Sequence, residues 1–158
     1  MELALPSCAM TRPRGFTLVE LLVVVSIIGI IAAIAIPNLI NALNKAKQRR
    51  TMADMRTVAL AVYDYSTDWV MVPAVSSGTV KDLIPYLTPT YLKTLPELDG
   101  WQNPIRYDGS GLDYTLLSYG GDRVEDPSWT SGPTTDFAAD IVIFDGVFVQ
   151  WPEGAQVK

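Results

Sequence analysis

The 158-residue sequence has no histidine and a single cysteine, Cys8. One cysteine closes no intrachain disulfide, and without histidine there is no Cys/His zinc site. A serine nucleophile such as Ser118 would lack its usual base. The carboxylates are scattered and form no distinguished pair, so no enzyme is expected. A basic excess is missing as well. Lys and Arg number 12 against 17 Asp and Glu, for a net charge of −5, so no general attraction to nucleic acid is expected. Charge is scarcest between Phe16 and Ile36, where Glu20 is the one ionisable residue. That stretch supplies no Lys or Arg to partner it.

What the stretch does supply is an unbroken apolar run. As a helix, its roughly 21 residues at about 1.5 Å each span about 31 Å, the thickness of a bilayer's hydrocarbon core. This predicts a single membrane anchor over 16–37. A carboxylate near the start of such a segment costs free energy and is seldom idle. Arg12 and Arg14 stand just before the run and should stay cytoplasmic by the positive-inside bias. From Asn38 to about Thr67 the pattern turns amphipathic, with Leu39, Leu43, Ala46, Met52, Met55, Ala59 and Val62 at helical spacing. Lys45, Lys47, Arg49 and Arg50 form a basic cluster: a solvated helix face, or a contact for acidic neighbours or lipid headgroups. Together these predict one long helix from Phe16 to Thr67. Gly29 weakens it, and Pro37 should bend it by removing an internal hydrogen bond.

The order of residues at the start of the run resembles a known motif. Arg14-Gly15 followed by Phe16-Thr17-Leu18-Val19-Glu20 is similar to the processing site of the type IV pilin superfamily, which includes the pilins and the pseudopilins of type II secretion. Gly29 and Pro37 also fall where that family often carries a glycine and a proline. The resemblance implies that a prepilin peptidase cuts between Gly15 and Phe16 and that the new amino terminus at Phe16 is N-methylated. Residues 1–15 would be a leader that begins at Met1 or at Met10. Cys8 would leave with it, so the mature chain could not form the C-terminal disulfide of many pilins. Glu20 would become the fifth mature residue and meet the Phe16 amine of a neighbouring subunit during assembly.

The remainder, 68–158, reads as a globular head. Asp68 to Pro73 ends the helix, and Ser76-Ser77-Gly78 marks a break. Thr79-Val80-Lys81-Asp82 fits a capping box that opens a short helix to about Leu87. Asp99-Gly100-Trp101-Gln102-Asn103-Pro104, leading into Ile105-Arg106-Tyr107, resembles the Asp-Pro-Trp-Gly-Asn-Pro turn of major pseudopilins, with Gly100 in place of the proline and Gln102 in place of the glycine. Trp101 reads as a buried aromatic. Asp113 to Ser118 is a strand ended by Gly120-Gly121. Ile141–Phe144 and Val147–Trp151 flank Asp145-Gly146, a hairpin signature; the first run does not alternate, which suits a strand covered on both faces. Pro152 to Lys158 reads as a frayed tail. The expected class is α+β and pilin-like: a long helix against a small antiparallel sheet.

Resemblance to major pseudopilins also implies a calcium site in the acidic loop Gly120–Asp140. Asp122 and Asp140 are the side chains suggested, with Leu117 and Ser118 offering backbone or hydroxyl oxygens; calcium takes six to eight oxygens. Ala139 departs from the family's second acid, and the loop is long, so an acidic loop without metal is the alternative. The expected role is a structural subunit of a periplasmic pseudopilus. It would be single-pass in the inner membrane with its head in the periplasm, and would polymerise with itself. Its other partners would be minor pseudopilins, an inner-membrane assembly platform, the prepilin peptidase and, before assembly, the lipid bilayer. A type IV pilin for adhesion, motility or DNA uptake, and a membrane-anchored binding module that never polymerises, are the other two readings.

Overall fold

The computed structural model describes residues 15–154. The expected leader up to Arg14 and the last four residues of the tail lie outside the described residues. The chain divides after Asn38 into two units, each taken by itself.

In the first unit, helix α1 (Leu18–Trp69) begins. It starts two residues later than predicted because Thr17 and Glu20 close a capping box. The Thr17 N–H and hydroxyl donate to Glu20 Oε2 at 2.9 and 2.8 Å, and the Glu20 N–H donates to Thr17 Oγ1 at 3.2 Å. Two orphan N–H groups of the first turn are thereby satisfied. Helical structure continues through Gly29 and Pro37. Pro37 has no N–H to donate to Ala33, so one rung of the ladder is missing there.

In the second unit, α1 buries one face. Gln48, Thr51, Met55, Val58, Ala59, Ala61 and Val62 are its buried residues. The apolar face begins later than its spacing suggests: Leu39 and Leu43 are exposed, and Gln48 is the first fully buried residue. The helix ends where Val70 turns to φ +59° with its N–H donating to the Ser66 carbonyl. A β-branched residue in the left-handed region is uncommon.

The sheet has six strands in the order β1-β2-β3-β5-β6-β4. They are β1 (Val75–Thr79), β2 (Arg106–Ser110), β3 (Asp113–Ser118), β4 (Gly132–Thr134), β5 (Ile141–Phe144) and β6 (Val147–Pro152). All neighbours are antiparallel except β4 and β6, which run parallel. Asp145 and Gly146, at φ +46° and +79°, form the turn of the β5–β6 hairpin, as the primed turns require. Pro152, read as the start of a tail, closes β6 instead and pairs with Thr134.

The Ser76-Ser77-Gly78 break is in fact part of edge strand β1. Side chains of β2 make this possible. Asp108 Oδ1 accepts the Ser77 N–H at 3.2 Å and Arg106 donates to the Ser77 carbonyl at 2.7 Å, supporting a register shift between Val75 and Gly78. The short helix after it splits into a 3₁₀ turn (Val80–Leu83) and helix α2 (Ile84–Leu87). Thr79 donates from N–H and hydroxyl to Asp82 Oδ2 at 2.8 and 2.9 Å, and Pro85 sits where its missing N–H costs nothing.

The main core joins Met55, Val58 and Val62 of α1 to Tyr107, Tyr114, Leu116, Ile141 and Ile143 of the sheet. Fully burying an aliphatic side chain of this size contributes roughly 1.5–3 kcal/mol. Leu117 and Val142 alternate with these and are buried outside that cluster, so β3 and β5 are covered on both faces.

Candidate assembly motif and acidic loop

Two regions carry the site residues expected from sequence. The first is the amino-terminal stretch. Among the described residues no atom lies within 4 Å of where a Gly15 Cβ would stand, and Phe16 is exposed. Along the helix no Lys or Arg follows Glu20 until Lys45. Its local partner is Thr17, which sequence reasoning missed although Thr-x-x-Glu is a capping-box signature. Both bonds from Thr17 fall on Oε2. Beyond Glu20 the helix is long and apolar enough to cross a membrane, and its most apolar window buries nothing against the described chain.

The second region is the loop from Gly120 to Asp140. Asp140 is fully buried. Its Oδ2 accepts the Asp126 N–H at 2.9 Å, and Asp126 Oδ2 accepts the Asp140 N–H at 3.1 Å. Its Oδ1 is buried with no hydrogen-bond partner. Burial raises the Asp140 carboxyl most; the Asp126 N–H pulls it back, the charges of Asp126, Asp122 and Glu125 add smaller rises, and the result is about 6. A buried, unpartnered oxygen among like charges is what a cation would relieve.

The rest of the expected calcium set is placed differently. Asp122 Oδ1 accepts the Val124 N–H at 3.0 Å within its own turn. The Ser118 hydroxyl donates to Asp99 Oδ2 at 2.8 Å. Leu117 is a central-strand residue paired with Arg106 and Val142. No group of three acidic residues is drawn together for a metal among the described residues. Of that set Asp140 keeps a buried, unpartnered oxygen beside Asp126, while Asp122 and Ser118 are hydrogen-bonded within the chain.

Sequence reasoning names Asp99 only as the start of the turn motif, yet its side chain organises that turn. It is fully buried. Oδ1 accepts the N–H groups of Trp101 and Asn103, both at 2.8 Å. Oδ2 takes the Ser118 hydroxyl and, at 3.3 Å, the Asn103 side chain. Gly100 N–H donates to Thr51 of α1 at 2.9 Å. A Cβ on Gly100 would stand 2.4 Å from the Lys47 carbonyl oxygen, which explains why this turn has no side chain there. Trp101 is buried, but beside Gly121 and outside the main core.

Comparison with known proteins starts from the amino-terminal stretch. Residues 10–36 match the family described as the prokaryotic N-terminal methylation motif, a span that contains Gly15, Phe16 and Glu20. The chain is 32% identical over 111 residues to type II secretion system core protein G of Klebsiella pneumoniae, covering 70% of this chain and 79% of that protein. It is 33% identical over 126 residues to the proteins of that name from Pseudomonas aeruginosa and Escherichia coli, covering 72% of this chain and 87% and 86% of theirs. No solved structure gives a significant match. Similarity on this scale extends far beyond the methylation motif into the head, and the chain belongs to the family of type II secretion system core protein G, the major pseudopilins.

Proposed function

We propose that this chain is the polymerising subunit of a pseudopilus that drives protein secretion, and that it acts as a structural subunit without catalysis of its own. The observation that carries the reading is the register of Gly15–Phe16, Glu20 and a bare apolar helix inside the matched motif. Cleavage after Gly15 would create an N-methylated amine at Phe16. That amine is a cation in a segment otherwise without one. A neighbouring Glu20, whose Oε2 is already fixed by Thr17, would receive it on the free oxygen. At an effective dielectric near 20 and about 4 Å, opposite unit charges attract by roughly 4 kcal/mol. Carrying a carboxylate in the hydrocarbon costs a similar roughly 3 kcal/mol. A lone subunit bears that cost, and a stack of copies relieves it.

Before assembly the helix would hold the subunit in the inner membrane with its head in the periplasm, where the assembly platform and minor pseudopilins meet it. In the same reading Asp140 and Asp126 would hold calcium, with Asp122 and Glu125 swinging in. The ion would tie the loop to β5. The test of the main reading is mass spectrometry of the protein from cells that possess the peptidase. A mature chain beginning at N-methyl-Phe16, recovered in filaments, is expected. A chain that retains residues 1–15, or stays monomeric when abundant, overturns it. A type IV pilus subunit would instead appear on the cell surface beside a retraction ATPase.

A further inference from the structure

One face of the sheet packs on α1, and the opposite face carries charge. Along β2, Arg106 and Asp108 alternate with the buried Tyr107 and so lie on the face away from the helix. Asp108 pairs with Thr115 of β3, and Thr115 with Phe144 of β5, so these three form one row across that face. Arg106 and Leu117 belong to the next row, about 7 Å along the strands. Glu125 and Trp129, from the loop after β3, border a hollow of about 180 Å³ over Arg106, Asp108 and Leu117. Past Asp108 and Thr115 a shallower hollow of about 370 Å³ continues the groove to Phe144. Each end is aromatic: Trp129 is 43% and Phe144 47% exposed. The floor between them is polar and held in place. Asp108 Oδ1 accepts the Ser77 N–H, and one Arg106 nitrogen donates to the Ser77 carbonyl. Asp108 Oδ2, the other guanidinium nitrogens and the Thr115 hydroxyl make no further hydrogen bond among the described residues. The Trp129 rim is pinned on both sides. Asp126 and Asp140 exchange hydrogen bonds before it, and after it the Thr130 N–H donates to Oε1 of the buried Gln150 at 2.8 Å.

We propose that this groove binds a neutral oligosaccharide, with sugar rings laid on Trp129 and Phe144 and their hydroxyls bonded to Asp108, Arg106 and Thr115. The inference goes beyond the polymer reading and does not depend on it. The groove's own chemistry selects the ligand class. A free anion would meet Asp108 and Glu125, and a free cation would meet Arg106. An apolar ligand would strip water from all three charges and return no hydrogen bonds. An extended peptide adds to a sheet edge through backbone groups; this groove lies on the sheet face, where those groups are already paired. What fits is a ligand without net charge, dense in hydroxyls and flat on one side. A pyranose is such a molecule. The electron-rich face of an aromatic ring attracts the weakly positive C–H hydrogens of the sugar's flat side. Its hydroxyls donate to a carboxylate and accept from a guanidinium, and hydrogen bonds to ionised groups are the stronger kind. Three strands at about 4.8 Å spacing make the floor roughly 10 Å wide, room for more than one ring. Because Ser77 fixes the floor and Gln150 fixes the rim, little ordering is left to do on binding.

The experiment uses the full chain, purified in a detergent without a sugar head and titrated with chitotriose, cellotriose and maltotriose by saturation-transfer NMR. At least one of the three should bind saturably, with a dissociation constant below about 1 mM. Trp129→Ala should weaken it about tenfold, and Phe144→Ala about threefold. Trp129→Tyr keeps a ring on the rim and should stay within about threefold of the parent, which separates a lost platform from a disturbed loop. Asp108→Asn should also cost about tenfold. Asparagine keeps an oxygen for the Ser77 N–H, so the melting temperature of that variant should not move. The inference is overturned if none of the three sugars binds saturably up to about 10 mM. It is equally overturned if Trp129→Ala and Asp108→Asn both bind within about twofold of the parent, or if trilysine binds where the sugars do not, which would make the groove a site for cations.

Discussion

Between Gly15 and Asn38 every described side chain is exposed except a half-buried Ala32, whereas the whole buried core lies between Gln48 and Gln150. The same helix serves both regions. Its first half is apolar on all sides and its second half on one side only. A helix that is apolar all round is buried somewhere; here nothing in the described chain buries it, so its solvent is lipid or other copies of itself. The second half is written for its own chain: Met55, Val58 and Val62 meet the sheet. The difference separates what assembles from what folds, and substitutions in the two regions should fail in different assays.

The largest expected effect is at Glu20. Glu20→Ala should be cleaved and exported normally, yet filament yield should fall at least tenfold. Glu20→Gln sharpens the test. Gln still serves a capping box with Thr17 but carries no charge for an amine. Electron microscopy showing Gln filaments at wild-type density would assign Glu20 to capping the helix and remove the ion-pair role.

In the head, Asp99→Ala should leave the Trp101 and Asn103 N–H groups and the Ser118 hydroxyl buried without an acceptor. At roughly 1–3 kcal/mol for each unsatisfied group, partly relieved by relaxation, a loss of about 4 kcal/mol is expected. Denaturant unfolding of the full chain in detergent would measure it, and a loss under about 1 kcal/mol would deny Asp99 its organising role. Gly100→Ala is next. The added methyl must push the turn off the Lys47 carbonyl, at a cost of about 2 kcal/mol. Both variants should be processed at Gly15 as before.

How far such features could be read beforehand differs by kind. The long helix and the Asp145-Gly146 hairpin are local, written in periodicity and turn chemistry, and their positions come out within two residues. Edge strand β1 is not local. Ser76-Ser77-Gly78 has turn composition and becomes a strand because Arg106 and Asp108 of a distant strand hold Ser77. Parallel β4 follows from the pairing of Pro133 with Trp151, which no pattern near Pro133 announces. For the acidic loop, composition marks an acidic segment, and only the resemblance singles out Asp140. It does not show that Ser118 belongs to Asp99 or that Asp126 is Asp140's reciprocal partner, since both are facts of burial.

That reciprocal pair gives the smallest and most specific prediction. Asp140 has its folded-state pKa raised to about 6 from an ordinary 3.8. Between those values the folded chain holds more protons than the unfolded one, so stability must fall as pH rises from about 4 to 6 and level off above. After relaxation of the loop the loss is about 1–2 kcal/mol. Asp82 has a lowered value and slopes the opposite way, so the readout is the difference between the parent chain and Asp140→Asn, measured with chelator present. The amide of that variant cannot ionise, and the difference should vanish below pH 4 and reach its full size by pH 7. Calcium should reverse the slope of the parent, because the ion takes only the ionised carboxylate and its benefit grows as Asp140 loses its proton. At a calcium concentration one hundred times its dissociation constant the gain would be about 2.7 kcal/mol, enough to outweigh the burial cost. A parent chain whose melting is indifferent to calcium at pH 7, while still showing the pH-dependent difference from Asp140→Asn, would mean that Asp140 lives with its burial and that no cation relieves it.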